Sequence, residues 1–374
     1  MDSKTPQRIA RLTPLADVLA RVTALAGPVA PREAAPHEAV GRALAADAFA
    51  GETLPAQALA LHDGWAIASD ATLDATSYAP APLPALPGRI DTGEAMPAGA
   101  DAVASLDAVN VRGGEAEALA NIAPGESVLP AGADAARGAI LRRAGERIDL
   151  RTAAVLAAAG IARVRIREPR IRIVSTRSGR FAEVIADFIA GAAMRDGGKI
   201  VAVEMAADSD CLAGALQRAD ADAIVAIGGT GTGRADASVQ ILARIGRVET
   251  HGVAIAPGET AGFGMMGMRP VLLVPGRFDA ALAVWLLLGR PLLVRLAAAR
   301  AIGRGATATL SRKVSSHLGL TELVPVRGRQ GVVEPLATGY LPLHALAGAD
   351  GWIVVPPGSE GYPAGASVEV HVWP

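Results

Sequence analysis

Three stretches of the chain carry residues whose types and spacing suit the binding of an oxyanion. In the first, the apolar run Ala223-Ile-Val-Ala-Ile227 leads directly into Gly228-Gly-Thr-Gly-Thr-Gly-Arg-Ala-Asp236. A buried strand, a glycine-rich loop and a helix start in that order expose backbone amides that attract phosphate. The loop is not the Gly-x-x-x-x-Gly-Lys-Ser/Thr of a nucleoside-triphosphate site. It is not Gly-x-Gly-x-x-Gly either: Gly229 and Gly231 have the first spacing, but Thr232 and Arg234 flank the remaining glycine, Gly233. Taken alone it reads equally as an anion cradle or a tight turn. The other two stretches, Val174-Ser-Thr-Arg-Ser-Gly179 and Val274-Pro-Gly-Arg-Phe278, also follow strand candidates. Each of the three loops brings one arginine, Arg177, Arg234 or Arg277. Converging guanidinium groups would suit a phosphorylated small molecule, and three solvated loop arginines are the plainer alternative.

The N-terminal half offers carboxylates. Leu61-His-Asp-Gly-Trp-Ala-Ile67 sets His62 and Asp63 just before a glycine and an apolar strand, and Arg89-Ile-Asp-Thr-Gly-Glu94 delivers Asp91, Thr92 and Glu94 to a second polar loop. A carboxylate at such a place can hold Mg²⁺, or it can be a turn aspartate bonding its own backbone.

The elements that must position these residues follow from periodicity. Apolar spacing predicts helices over Leu15 to Leu25 and Val40 to Phe49, joined by a stretch holding Pro28, Pro31 and Pro36. From Ala79 to Ala144 short apolar pieces broken by Pro and Gly predict a small β region. A helix from about Thr152 to Ala159, ended by Gly160, follows. Between Arg170 and about Leu296, strand candidates (Arg170 to Ser175, Lys199 to Val203, Ala223 to Ile227, Val253 to Ile255, Val271 to Val274) alternate with helical patterns. The helices lie around Phe181 to Ala190, Ser209 to Ala219 and Ala237 to Ile245, with a closing one from Ala280. That alternation predicts a mainly parallel, doubly wound α/β sheet, which binds ligands at the carboxyl ends of its strands. After Gly303, strand candidates predict a small C-terminal β domain. The expected division is 1–169, a helical region with an inserted β subdomain at about 72–144, then 170–300, the α/β domain, and 301–374, the β domain.

Composition excludes several classes. With 36 basic and 37 acidic residues the net charge is -1, so bulk attraction to nucleic acid or an acidic membrane is absent. The 12 aromatics (5 Phe, 4 Trp, 3 Tyr) are too few and scattered for a base-stacking platform. Apolar residues make up 51% of the chain but come in short pieces, so no membrane-spanning segment is expected. Met1 to Arg11 lacks the pattern of a secretory signal, and a cytoplasmic protein is expected. The single cysteine, Cys211, excludes an intrachain disulfide and is expected to pack as a small apolar residue on a helix.

The order and spacing of these motifs resemble those of the molybdopterin molybdenumtransferase family, which includes the E domain of gephyrin, along almost the whole chain. The family's Met-Asp-Gly-Tyr-Ala element resembles His62-Asp-Gly-Trp-Ala66. Its Thr-Gly and Pro-x-Gly-Ala-Asp-Ala-Val elements are similar to Thr92-Gly93 and Pro97-Ala-Gly-Ala-Asp-Ala-Val103. Its Gly-Gly-x-Ser-x-Gly-x-x-Asp loop resembles Gly228 through Asp236, its Pro-Gly-x-Pro turn resembles Pro275-Gly-Arg-Phe278, and its Ala-Asp-Gly ending resembles Ala349-Asp-Gly351. The resemblance implies a homodimer, an α/β domain that binds adenylylated molybdopterin, and Mg²⁺-dependent insertion of molybdate with release of AMP. Asp63 and Asp236 would then be the catalytic and metal-holding carboxylates. Thr92, Ser175, Thr176, Arg177, Gly228, Gly229, Thr232, Gly233, Arg234, Pro275, Gly276 and Arg277 would contact substrate.

Two family elements are altered. Thr-Gly-Asp-Glu-Leu is replaced by Thr176-Arg-Ser-Gly-Arg180, losing the acidic pair, and Lys-Pro-Gly-Lys-Pro by Ala256-Pro-Gly-Glu-Thr260, losing both lysines. A lysine-to-glutamate change beside an anion turns attraction into repulsion, each about 4 kcal/mol at 4 Å and an effective dielectric of 20. Two functions therefore stand side by side: a transferase with a modified cleft, or a non-catalytic carrier or scaffold that hands molybdopterin or finished cofactor to an apo-molybdoenzyme. A nicotinamide-dependent dehydrogenase is disfavoured by the glycine spacing.

Overall fold

The computed structural model describes residues 7–176, 179–233, 236–300, 305–328 and 331–374. The chain divides into two compact units. Met1–Ala46, Ala144–Ala153 and Arg163–Pro374 form the first, and Asp47–Arg143 with Ala154–Ala162 form the second, so the β unit expected from about residue 72 begins at Asp47.

At the centre of the first unit is a six-stranded sheet, β1 (Arg170–Ser175), β2 (Lys199–Met205), β3 (Ala223–Ile227), β4 (Arg247–His251), β5 (Gly262–Met266) and β6 (Arg269–Val274), in the order β2-β1-β3-β6-β5-β4. β1, β2, β3 and β6 are parallel, and β5 and β4 add an antiparallel edge. Continuous apolar sequence explains β3, whose five residues are all buried, as strands covered on both faces must be. Helices α1 (Arg180–Arg195), α2 (Ser209–Gln217) and α3 (Ser238–Ile245) cover the sheet. A fourth, α4, runs from Phe278 to Ala297 with a π-helical turn at Trp285–Gly289. It is long and apolar enough by composition to cross a membrane, a longer apolar piece than the short ones expected, but 78% of its apolar stretch is buried inside the structure, as in a core helix.

Several sequence expectations fail here. Val40 to Phe49 is not a helix: Ala43–Leu44 and Ala48–Phe49 are short strands, the first paired with Val164–Arg167. Alanine-rich spacing mimicked a helical face, and pairing with a distant strand overrode local propensity. Val253 to Ile255 does not extend the α/β sheet either. Ile255–Ala256 pairs in parallel with Thr321–Arg327 of the C-terminal sheet. The strands that do form that edge, β4 and β5, were not expected because β5 reads Gly-Phe-Gly-Met-Met. Its glycines are required, since a Cβ on Gly264 would lie 2.4 Å from the Arg247 carbonyl oxygen and one on Gly262 2.9 Å from that of Thr250. Cys211 is on α2 as expected but is exposed rather than packed.

The C-terminal sheet joins Thr321–Arg327, Val332–Pro335, Ala306–Leu310 and Ser367–Val370, with Gly351–Val355 paired to the first of these. In the second unit, short antiparallel strands pack two apolar clusters, one around Ile67, Ala102, Val109 and Ile122, the other around Ala60, Ala66, Ile90 and Val103.

Candidate functional site

In a doubly wound sheet, the place where successive connections leave in opposite directions opens a crevice at the strand ends. Here the chain passes from β1 to β2 on one side and returns to β3 on the other, which puts that crevice beyond Ser175 and Ile227. A cavity of about 680 Å³ lies there, lined by Ser175, Gly228 to Gly231, Asp236 and Pro275 to Asp279, with Gly258 to Thr260 and Tyr340 completing its wall. Three of the sequence-predicted loops thus meet.

The glycine loop is bent by its own backbone. Gly228 and Gly229 have φ of 87° and 68°, and a Cβ on Gly229 would lie 2.4 Å from the Ser238 hydroxyl oxygen. Only glycine fits without displacement. The Ser238 hydroxyl donates to the Gly228 carbonyl at 2.8 Å, and Thr176 ties the neighbouring loop in by donating from its backbone to the Ile227 carbonyl at 2.9 Å. Thr230 is buried; its hydroxyl lies 3.1 Å from that of Thr260, and its carbonyl oxygen is 2.8 Å from His251 Nε2. The Gly233 amide donates to the Asp236 carboxylate at 3.0 Å, so Asp236, though on the cavity wall, also braces its own loop.

Arg277 lines the cavity, but its Nε donates to buried Asp279 at 2.7 Å and its guanidinium lies 5.6 Å from the Tyr340 ring centre. Asp279 accepts the Leu341 amide at 3.2 Å on its other oxygen, which fastens the 340s against the start of α4. Arg277 is therefore a braced cation, 58% exposed, rather than a freely swinging one. Arg177 and Arg234, the other members of the expected triplet, lie outside the described residues, as does Ser178. Arg180, which opens α1, does line the cavity. Against these cations stand Asp236, Asp279 and Glu259, whose carboxylate accepts its neighbouring Gly258 amide at 3.1 Å.

Asp63 and Thr92 belong to the second unit and meet there. The Thr92 amide and hydroxyl both donate to one Asp63 carboxylate oxygen at 2.7 Å. The backbone bond and then the hydroxyl bond hold the Asp63 carboxyl below the usual carboxylate range. Neither sequence reading describes this: the partner is not Asp63's own turn but the Thr92 loop, 29 residues further along the chain. Gly64 is set by close approach, since a Cβ there would lie 2.2 Å from the Ala104 carbonyl oxygen. Asp101 is likewise locked, accepting the amide and hydroxyl of Ser69, each at 2.7 Å.

Neither Asp63 nor Asp236 belongs to a group of three or more His, Cys, Asp or Glu able to hold a metal among the described residues. Sequence reasoning missed Gln7, His251 and Tyr340, each brought in by tertiary contact from a stretch with no recognisable motif of its own, and Thr260, which stood in the quoted Ala256–Thr260 motif without being counted as a site residue. Arg180 stood in a quoted motif and was not counted as a site residue; its place at the first turn of a helix after a strand was the available signal.

Comparison with known proteins supplies three adjoining matches. Residues 13–160 match the MoeA N-terminal region (domain I and II), 161–295 a probable molybdopterin binding domain, and 307–373 the MoeA C-terminal region (domain IV). A putative molybdopterin biosynthesis protein of Methanocaldococcus jannaschii is 28% identical over 369 residues, 90% of each chain. Molybdopterin molybdenumtransferase 1 of Mycobacterium tuberculosis is 28% identical over 322 residues, 75% of this chain and 73% of its own. Two structures of the MoeA protein of Pyrococcus horikoshii superpose with TM-scores of 0.78 and 0.80 at 26% and 22% identity, covering 97% of this chain and 99% and 100% of theirs.

Proposed function

The chain belongs to the MoeA family of molybdenum cofactor biosynthesis, and from that premise we propose that it is a molybdopterin molybdenumtransferase whose cavity at the ends of β1, β3 and β6 takes adenylylated molybdopterin and, with molybdate, releases AMP. The observation that carries this reading is the convergence of the glycine loop with the Ser175 and Pro275 strand ends around one cavity. In it the loop amides and Arg180 face the phosphates, while braced Arg277 holds a fixed positive charge and Tyr340 offers a flat face to a ring. Asp236 keeps the loop in shape through the Gly233 amide.

Magnesium is implied by the resemblance, and such an ion on a phosphorylated ligand needs only one or two protein carboxylates. Among the described residues no group of three acidic, histidine or cysteine side chains gathers, and a Mg²⁺ ion at the cavity would instead be held by one carboxylate, Asp236 on its wall, together with the ligand's phosphates. The chain's own residues in the cavity bind and orient the ligand. On the same reading the protein is a cytoplasmic homodimer, for which sedimentation equilibrium is the check on assembly.

One observation favours a second reading, a carrier that binds without turnover: Glu259 presents a carboxylate on the cavity wall where the family's pattern has a lysine. Purified protein with adenylylated molybdopterin, molybdate and Mg²⁺ separates the two. AMP release that is lost in Asp236→Ala supports the transferase. Tight binding without release makes the protein a carrier, and neither binding nor release removes both.

A further inference from the structure

A glycine loop orients a ligand only as firmly as its own peptide planes are fixed. The loop from Gly228 is held by a residue far away in sequence. Gln7 is 4% exposed, and its side-chain nitrogen donates to the Gly229 carbonyl at 3.0 Å and the Gly231 carbonyl at 2.8 Å. Its side-chain oxygen accepts the Val239 amide at 2.9 Å and the Gln240 amide at 3.2 Å. One side chain thus joins two alternate carbonyls of the loop to the first turn of α3, donating through both amide hydrogens and accepting twice on its oxygen.

Two consequences follow from geometry. In a trans peptide the C=O and the following N–H point in opposite directions. Fixing the Gly229 and Gly231 carbonyls toward Gln7 therefore turns the Thr230 and Thr232 amides away from it. At the same time the Gln7 oxygen takes two of the amides that a helix start offers to an anion. We propose that Gln7 is a positioning residue for phosphate binding: it aims the Thr230 and Thr232 amides and keeps the anion off the start of α3. This rests on the ligand reading above, while the clamp itself can be tested without a ligand.

The test compares wild type, Gln7→Ala and Gln7→Glu as full chains, by amide hydrogen exchange and by equilibrium binding of adenylylated molybdopterin. Losing the two bonds to the loop, along with the two to α3, should speed exchange of the amides at residues 229–233 roughly tenfold and weaken binding roughly tenfold in Gln7→Ala. The amides of β3 should keep their protection. Gln7→Glu retains the acceptor for α3 but sets a carboxylate against two carbonyls, so it should loosen the loop as much while leaving the Val239 and Gln240 amides protected. Unchanged loop exchange in both variants overturns the clamp. A loosened loop with unchanged affinity overturns its role in positioning, and equal loss of protection across all six strands shows a purely structural residue. Absence of ligand binding by the wild type defeats the functional reading and the positioning role with it, and exchange then decides the clamp alone.

Discussion

Two glycine-bearing loops with a nearby aspartate, one in each compact unit, use their carboxylates differently. In the second unit, Asp63 is exposed and receives the Thr92 amide and hydroxyl on one oxygen, from a loop 29 residues on. In the first, Asp236 spends one oxygen on the Gly233 amide and stands on the wall of a cavity built from chain segments about a hundred residues apart. A carboxylate in a turn acquires chemistry from what other strands bring to it, and the turn alone does not show which case applies.

The sharpest way to break that contrast is to add one methyl group in each unit. Gly229→Ala forces a positive-φ residue against the Ser238 hydroxyl and should cost about 3 kcal/mol, with loss of ligand binding. Gly93→Ala has φ of 86° but open space around it, and should cost about 1 kcal/mol with binding little changed. Thermal unfolding with ligand titration reads both, and equal costs would erase the distinction.

Next in size is Arg277→Ala. It strips the Nε donor from Asp279, which is 3% exposed, and should destabilise by about 2 kcal/mol once the solvent around the arginine is allowed for. Chemical denaturation that finds no loss would mean the brace is idle. Glu259→Lys should act on the ligand instead. Exchanging repulsion for attraction at the cavity wall is expected to tighten binding of the phosphorylated pterin by roughly tenfold, less at high salt. Weaker binding in that variant would place the anion elsewhere.

The smallest effect is expected at Asp63. Its folded-state pKa is lowered, so the stabilisation it contributes is present above the unfolded carboxylate value and disappears as pH falls through the folded one. Removing the hydroxyl bond in Thr92→Val should raise the Asp63 pKa toward the ordinary value while the backbone bond keeps part of the shift, as carboxyl NMR titration would show. An unmoved titration would mean that the Thr92 hydroxyl does not hold the carboxylate.

Much of this arrangement was legible in the sequence. Ala223–Ile227, Arg170–Ser175 and Ala306–Leu310 fall where apolar runs and β-branched residues put them. The three loops meet because a parallel sheet delivers strand ends to one edge, so recognising the strands was enough to place Ser175, Gly228 and Pro275. What could not be read depends on partners distant in sequence. Gly262 and Gly264 read as loop residues until the Arg247–His251 strand passes close above them, and Gln7 reads as nothing until Gly229 and Gly231 arrive beside it. Arg277 was legible as a cation at the site, but Asp279 shows that it is a tethered one.

The most direct measurement of the central claim is equilibrium binding of adenylylated molybdopterin to the wild-type chain and to Gly229→Ala, with Gly93→Ala as the control. The account expects binding by the wild type and the control and its loss in Gly229→Ala. Binding that survives in Gly229→Ala, or that is absent from the wild type, would contradict a phosphate site built on the glycine loop.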